Sequence, residues 1–130
     1  MDYNKISLII LNYNRANYLD RSLRSCADQI IFNKQSEILL LDDGSTDNSI
    51  QIAKSQKIPN LRIIKNKKNK GIGFSSNRAL KNINGEFFIR VDSDDFLSKH
   101  ACELMSGILI ENKNLAYVCC DHYRVDARGL

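Results

Sequence analysis

The segment FFIRVDSDDFLS, residues 87–98, crowds three carboxylates, Asp92, Asp94 and Asp95, into four positions at the end of an apolar run. Like charges this close raise one another's pKa unless a cation or ordered donors offset the repulsion. A positive partner is therefore expected there. Asp92 and Asp94 are two residues apart, a spacing that puts both on one side of an extended chain and offers oxygen ligands suited to Mg²⁺ or Mn²⁺. Mg²⁺ is usually held by one or two carboxylates plus substrate phosphates, so an incomplete protein cage implies a ligand that carries a diphosphate. Two other polar clusters fit such a ligand. Asp42 and Asp43 in EILLLDDGSTD can accept hydrogen bonds from base N–H groups or ribose hydroxyls, and Tyr13 in ILNYNR offers a ring for a base to stack on.

These residues need elements to position them. ISLIIL (6–11), EILLLDD (37–43), LRIIK (61–65), EFFIRVD (86–92) and AYVCC (116–120) predict five strands buried on both faces. Leu19, Leu23, Cys26 and Ile30 recur at helical spacing, and Ala101, Leu104, Met105 and Ile108 do so after Ser98 as N-cap. A short helix is expected after GSTDNS, and another over SSNRALKNI, ended by Gly85. Alternating strands and helices predict an α/β fold with an open, mainly parallel sheet and helices on both faces. The polar clusters then fall at the carboxyl ends of the first, second and fourth strands, where open α/β sheets bind ligands. Any one alone reads as a turn or a helix cap, Asp47 included; three on one edge read as a nucleotide site.

Composition sets outer bounds. A chain of 130 residues, 43% hydrophobic and 26% charged, is expected to form one globular domain. No apolar run approaches the roughly 20 residues of a membrane span, and the start lacks a signal-peptide pattern. The expected location is cytoplasmic, with the inner face of the membrane as the alternative. Cys26, Cys102, Cys119 and Cys120 have no CxxC spacing and are expected to be reduced core thiols. The net charge of +4, concentrated in KNKKNK (65–70), reads as a solvated loop and not as a nucleic-acid surface.

SLIILNYNRANYLDRSLRSC, EILLLDDGSTDNS, NKGIGFSSNRAL and GEFFIRVDSDDFL, in this order over roughly residues 5–97, resemble the motifs of glycosyltransferase family 2, whose nucleotide-sugar-binding half has the GT-A fold. The resemblance implies transfer of a sugar from a nucleoside-diphosphate sugar, a UDP-sugar by preference, to a glycan or lipid-linked acceptor. It also implies Mn²⁺ or Mg²⁺ as cofactor and inversion at the anomeric carbon. Tyr13 and Asp43 would address the base with Asp42 beside them, and Leu11, Arg15, Asn77, Asp92 and Ser93 would complete the nucleotide contacts. Asp94 and Asp92 would hold the metal, with Asp95 as a lesser contributor. The third motif departs from the family's N-x-G-x-x-x-A-R-N: Ser75 and Ser76 stand where Ala and Arg are usual, which leaves Lys70 or Arg78 to neutralise the substrate. Asn77 and Gly71 keep the pattern.

Inversion needs a general base, and no residue here is spaced as one. His100 and His122 read as helix-surface and strand-end residues, so the catalytic residue stays unassigned and is expected outside this chain. Residues 1–130 are accordingly expected to be a single nucleotide-diphospho-sugar-binding domain, truncated before an acceptor-binding half. Such a chain is expected to pair with another copy near AYVCC and the last helix, and to transfer sugar near background. Robust transfer would force Asp121, Asp126 or a partner subunit to supply the base. Three competing classes bear on these motifs. GIGFSS lacks a third glycine and follows the third strand, against a dinucleotide-binding oxidoreductase. DSD follows the fourth strand instead of the first, against an aspartyl phosphotransferase. A nucleotide-binding module without turnover stands as the alternative.

Overall fold

ISLIILN and EILLLD carry long or branched apolar side chains at most positions, and all residues of β1 (Ile6–Asn12) and β2 (Glu37–Asp42) are buried. Strands of this kind are stable only with a layer on each face. They form the centre of a parallel sheet whose outer strands are β3 (Leu61–Lys65) and β4 (Phe87–Asp92), in the order β3-β2-β1-β4. The computed structural model describes residues 5–29 and 35–130. Asn12 lies level with Asp42, Leu11 with Asp92, and Asp42 with Lys65, so all four strands end on one edge.

The two-residue period of the strands divides the core. Ile6, Leu8, Ile10, Ile38 and Leu40 face one side, where they meet Leu19, Leu23 and Cys26 of α1 (Ala16–Ala27), Ala53 of α2 (Ser49–Ser55) and Cys102 of α4 (Ala101–Glu111). Ile9, Leu11, Leu39 and Leu41 face the other side and meet Ala79 of α3 (Ile72–Leu80). The fold is thus α/β with helices on both faces, as the alternation of elements predicts. No described helix is long and apolar enough to cross a membrane. Ile30 lies outside the described residues.

Five local expectations are corrected. AYVCC forms no strand: residues 116–120 are irregular and mostly exposed. They face β4 across a groove of about 530 Å³ lined by Phe87, Ile89, Met105, Leu109 and Val118, and β propensity without a ladder partner does not make a strand. Cys119 and Cys120 are consequently exposed, whereas Cys26 and Cys102 are core thiols, each pushed up to about 12 by burial. In α4, Leu104 is 65% exposed and Ile108 faces outward, while Cys102 and Ser106 are buried. Gln29 sets that rotation, because its buried amide accepts from the Cys102 N–H at 3.1 Å and donates to the Ser98 carbonyl at 3.3 Å. Ser98 contributes that carbonyl, while His100 occupies the N-cap without a side-chain capping bond. Finally, α3 begins at Ile72 and ends at Leu80, and Gly85 serves the entry to β4, where a Cβ would lie 2.6 Å from the Ser7 nitrogen.

The amino edge of the sheet is closed by one buried carboxylate. Glu37 accepts from Arg62 at 2.7 Å, from the Ser7 hydroxyl at 2.8 Å and from the Asn84 N–H at 2.7 Å. Burial pushes its carboxyl up, but these donors outweigh burial and hold the pKa below its ordinary value. The sign follows: a depressed folded pKa stabilises fully above the ordinary value of 4.5, and the stabilisation is lost as pH falls through the folded value. The urea midpoint should fall as pH is lowered from about 5 to about 3. Glu37→Gln should remove part of that fall and cost about 1–3 kcal/mol at neutral pH. An unaltered acid limb in Glu37→Gln would contradict this assignment.

Candidate nucleotide site at the carboxyl edge of the sheet

The loop after β1 and the loop after β2 are locked together by short polar side chains. Asn14 adopts a left-handed φ of 51°, and its Oδ1 accepts from the Thr46 N–H at 2.9 Å and the Asp47 N–H at 3.3 Å. Ser45 Oγ accepts from Asn12 Nδ2 at 3.1 Å and from the Asn14 N–H at 2.9 Å. Asp47 accepts from the Ala16 N–H and the Ser49 N–H, both at 3.0 Å, so one carboxylate serves the amino ends of α1 and α2. Burial opposes its charge, but the Ser49 and Ala16 donors pull its pKa below the usual range.

Asp42 and Asp43 are neighbours with different work. Strand alternation turns successive side chains to opposite faces. Asp42 is fully buried on the α1 side, accepts from Asn12 Nδ2 at 2.8 Å and the Ser45 N–H at 2.9 Å, and does not line the pocket. The Asn12 Oδ1 is left buried without a partner among the described residues. Asp43 faces the α3 side and accepts from Asn66 Nδ2 at 2.6 Å, the Lys70 N–H at 2.9 Å and the Gly71 N–H at 2.8 Å. Burial raises its pKa, and these donors overcome it, leaving the carboxylate well ionised.

Residues 66–71 are therefore a strap held by Asp43, and not simply a solvated loop, although Lys67, Lys68 and Lys70 are exposed. The strap crosses Gly44, whose φ is +78° and whose added Cβ would lie 2.6 Å from the Lys68 carbonyl carbon. Only glycine satisfies both demands. Asn66 also donates to Ser75 Oγ at 3.0 Å and accepts from Arg78, which donates again to the Lys65 carbonyl. Arg78 is thus engaged in the strap. The Lys70 ammonium lies 5.8 Å from the centre of the Phe74 ring.

The three loops enclose a pocket of about 490 Å³, a size usual for small-molecule sites. Leu11, Tyr13, Arg15, Asp43, Asp92, Ser93 and Asp94, all expected from the sequence, line it together. Tyr13, 44% exposed, and Ile72 present apolar surface at its rim. Asn77 is exposed on α3 and Asp95 follows the pocket wall, both outside the lining. Gly71, Ile72, Asn69 and Ser75 join the lining; the apolar residue just after a motif glycine was the available signal for Ile72. A larger, shallow hollow of about 830 Å³ on the outer side of α1, lined by Asp20, Arg21, Arg24 and Lys99, lies away from the strand ends.

Two of the crowded acids, Asp92 and Asp94, have positive partners. Arg15 Nε lies 3.3 Å from Asp94 Oδ2, and Arg90 lies 3.4 Å from Asp92 Oδ1, all four side chains about half exposed. Among the described residues no cluster of three or more His, Cys, Asp or Glu is placed to hold a metal. Two half-exposed carboxylates on a pocket wall fit a hard divalent ion that takes its other ligands from a diphosphate and water. They do not make a self-sufficient protein cage.

An open parallel α/β sheet with this pocket on its carboxyl edge defines the class: a GT-A nucleotide-binding fold. The chain belongs to glycosyl transferase family 2, whose family model matches residues 7–129. It is 35% identical over 126 residues to a chondroitin synthase of Escherichia coli, covering 95% of this chain and 18% of that protein. It is 34% identical over 110 residues to the poly(ribitol-phosphate) β-N-acetylglucosaminyltransferase TarS of Staphylococcus aureus, covering 83% of this chain and 19% of that one. A TarS crystal structure in complex with UDP-GlcNAc superposes with a TM-score of 0.76 at 35% identity, covering 82% of this chain and 31% of that one. The chain thus spans about a fifth of these relatives' length.

Gly44→Ala should destabilise the chain by about 1–3 kcal/mol through backbone strain and displacement of the strap. Gly107→Ala, with nothing within 4 Å of the added Cβ in α4, should instead be neutral or stabilise by up to about 1 kcal/mol. Urea unfolding of both variants, with amide exchange at Lys70 and Gly71, checks the contrast. Equal effects would contradict it.

Proposed function

We propose that this chain is the nucleotide-sugar-binding part of a glycosyltransferase. The donor is a nucleoside-diphosphate sugar, with UDP favoured, and the acceptor is a glycan or lipid-linked acceptor. The observation that carries the reading is the pocket itself: an aromatic rim, an ionised acceptor in the wall and a pair of half-exposed carboxylates beside them. The likeness to TarS, whose structure holds UDP-GlcNAc, supports it.

Asp43 gives the base preference. A carboxylate has about four lone-pair sites; Asn66 and Lys70 donate to Oδ1 of Asp43 and Gly71 to Oδ2, and the Ser75 side chain also bonds to this carboxylate. An ionised acceptor in the pocket wall suits a base N–H, which uracil offers at N3 between two carbonyls. Cytosine presents a bare acceptor at N3, and acceptor facing acceptor repels. Tyr13 stacks on the base, Leu11 supports it, and Asp92 and Ser93 receive the ribose. Asp94, aided by Asp92, would hold Mg²⁺ or Mn²⁺, which would supply positive charge beside the departing diphosphate. Inversion at the anomeric carbon would draw its base from the acceptor side.

Calorimetry tests the assignment. UDP should bind more tightly than CDP by roughly tenfold, one poorly matched hydrogen bond being worth about 1–3 kcal/mol. Tyr13→Ala should weaken UDP binding with or without Mn²⁺, by about 1–3 kcal/mol for lost stacking. Asp94→Ala should leave metal-free binding no weaker and remove most of the gain from Mn²⁺. Equal affinity for UDP and CDP, together with an unchanged Tyr13→Ala, would move the base elsewhere.

A further inference from the structure

Arg15 is the one basic side chain among the described residues that line the pocket. Its backbone is fixed. The Arg15 carbonyl accepts from the Tyr18 and Leu19 N–H groups at 3.0 and 3.1 Å, and the next residue's N–H is held by Asp47. Its side chain is loosely held by comparison. It is about half exposed, and its one side-chain partner among the described residues is Asp94, reached through Nε alone at 3.3 Å. The two terminal nitrogens, which make the strong bidentate fork of an arginine–carboxylate pair, take no part. A single contact between two half-exposed groups is a weak pair.

We propose that Arg15 is an exchangeable counter-ion: it neutralises Asp94 in the absence of metal, yields that carboxylate to an incoming divalent cation, and turns its free fork to the diphosphate. The proposal rests on Asp94 being the metal ligand of the nucleotide site. A guanidinium 3.3 Å from Oδ2 already offsets the charge of Asp94 and repels a divalent ion approaching either carboxylate oxygen, so the two cations compete. The doubly charged, compact ion wins that contest. The displaced guanidinium stays at the lip of the pocket because its helix start is pinned, and a planar fork suits phosphate oxygens. This also accounts for the missing third-motif arginine. Ser76 stands in its place, and Arg78, the nearest arginine in sequence, is engaged by Asn66 and the Lys65 carbonyl.

The test uses the chain as it stands, with Mn²⁺ alone followed by the paramagnetic resonance of the free ion, and then UDP in saturating Mn²⁺ followed by calorimetry. Arg15→Ala should bind Mn²⁺ alone about two- to fivefold more tightly, the range an exposed pair's coupling allows. The gain should vanish when Asp94→Asn is added. The same Arg15→Ala should bind UDP with Mn²⁺ roughly tenfold more weakly, and Arg15→Lys, a charge without a fork, should recover part of the loss. A merely structural Arg15 would move both affinities in the same direction. Mn²⁺ bound no more tightly by Arg15→Ala than by the parent, or bound by neither, overturns the exchange. A parent that binds Mn²⁺ but no UDP overturns the nucleotide reading and the diphosphate step together, while the Mn²⁺ comparison alone still decides the competition at Asp94.

Discussion

One carboxylate organises the working edge of this fold. Asp43 accepts from two successive backbone N–H groups, Lys70 and Gly71, and from the Asn66 amide. A basic strap is thereby drawn down onto the end of β2. From the strap follow the position of Gly71 at the start of α3, the engagement of Ser75 and Arg78 through Asn66, and one whole wall of the pocket. Gly44 permits the crossing because it has neither a Cβ nor an objection to positive φ. Charge on Asp43 is what makes the arrangement worth its desolvation, since hydrogen bonds to an ionised acceptor are stronger than neutral ones.

The acids of the chain sort by burial. Glu37 and Asp42 are buried, fully provided with donors, and placed where strands and loops must be joined. Asp92 and Asp94 are half exposed, each beside a single arginine, at the mouth of the pocket. A buried carboxylate with several donors cannot change partners without leaving some of them unpaired. A half-exposed one with a single weak partner can. Rigid acids therefore build the frame, and exchangeable acids face the ligand.

Much of this was legible in the sequence. β1 and β2 declare themselves because uninterrupted apolar runs are stable only when covered on both faces, and the polar clusters mark the strand ends. What the sequence could not supply was tertiary. AYVCC has strand-like residues but no partner for its backbone, so propensity misleads there. The rotation of α4 is set by Gln29, more than seventy residues away from the helix face it fixes. Asp42 was grouped with Asp43 by chemistry, although strand alternation already separates them by face. Lys70 and Arg78 were the sequence's replacements for the missing arginine because they stand nearby in the chain, whereas the basic residue on the pocket wall, Arg15, comes from the first loop.

The account stands on a nucleoside diphosphate occupying the carboxyl-edge pocket, and an amide chemical-shift titration with UDP and Mg²⁺ tests that most directly. The predicted result is a single contiguous set of shifted amides, around Tyr13, Gly44, Gly71 and Ser93, with the strands' amino edge near Glu37 and Gly85 silent. Shifts concentrated instead along the groove between β4 and α4, near Phe88 and Leu109, or no saturable shifts at all, would contradict it.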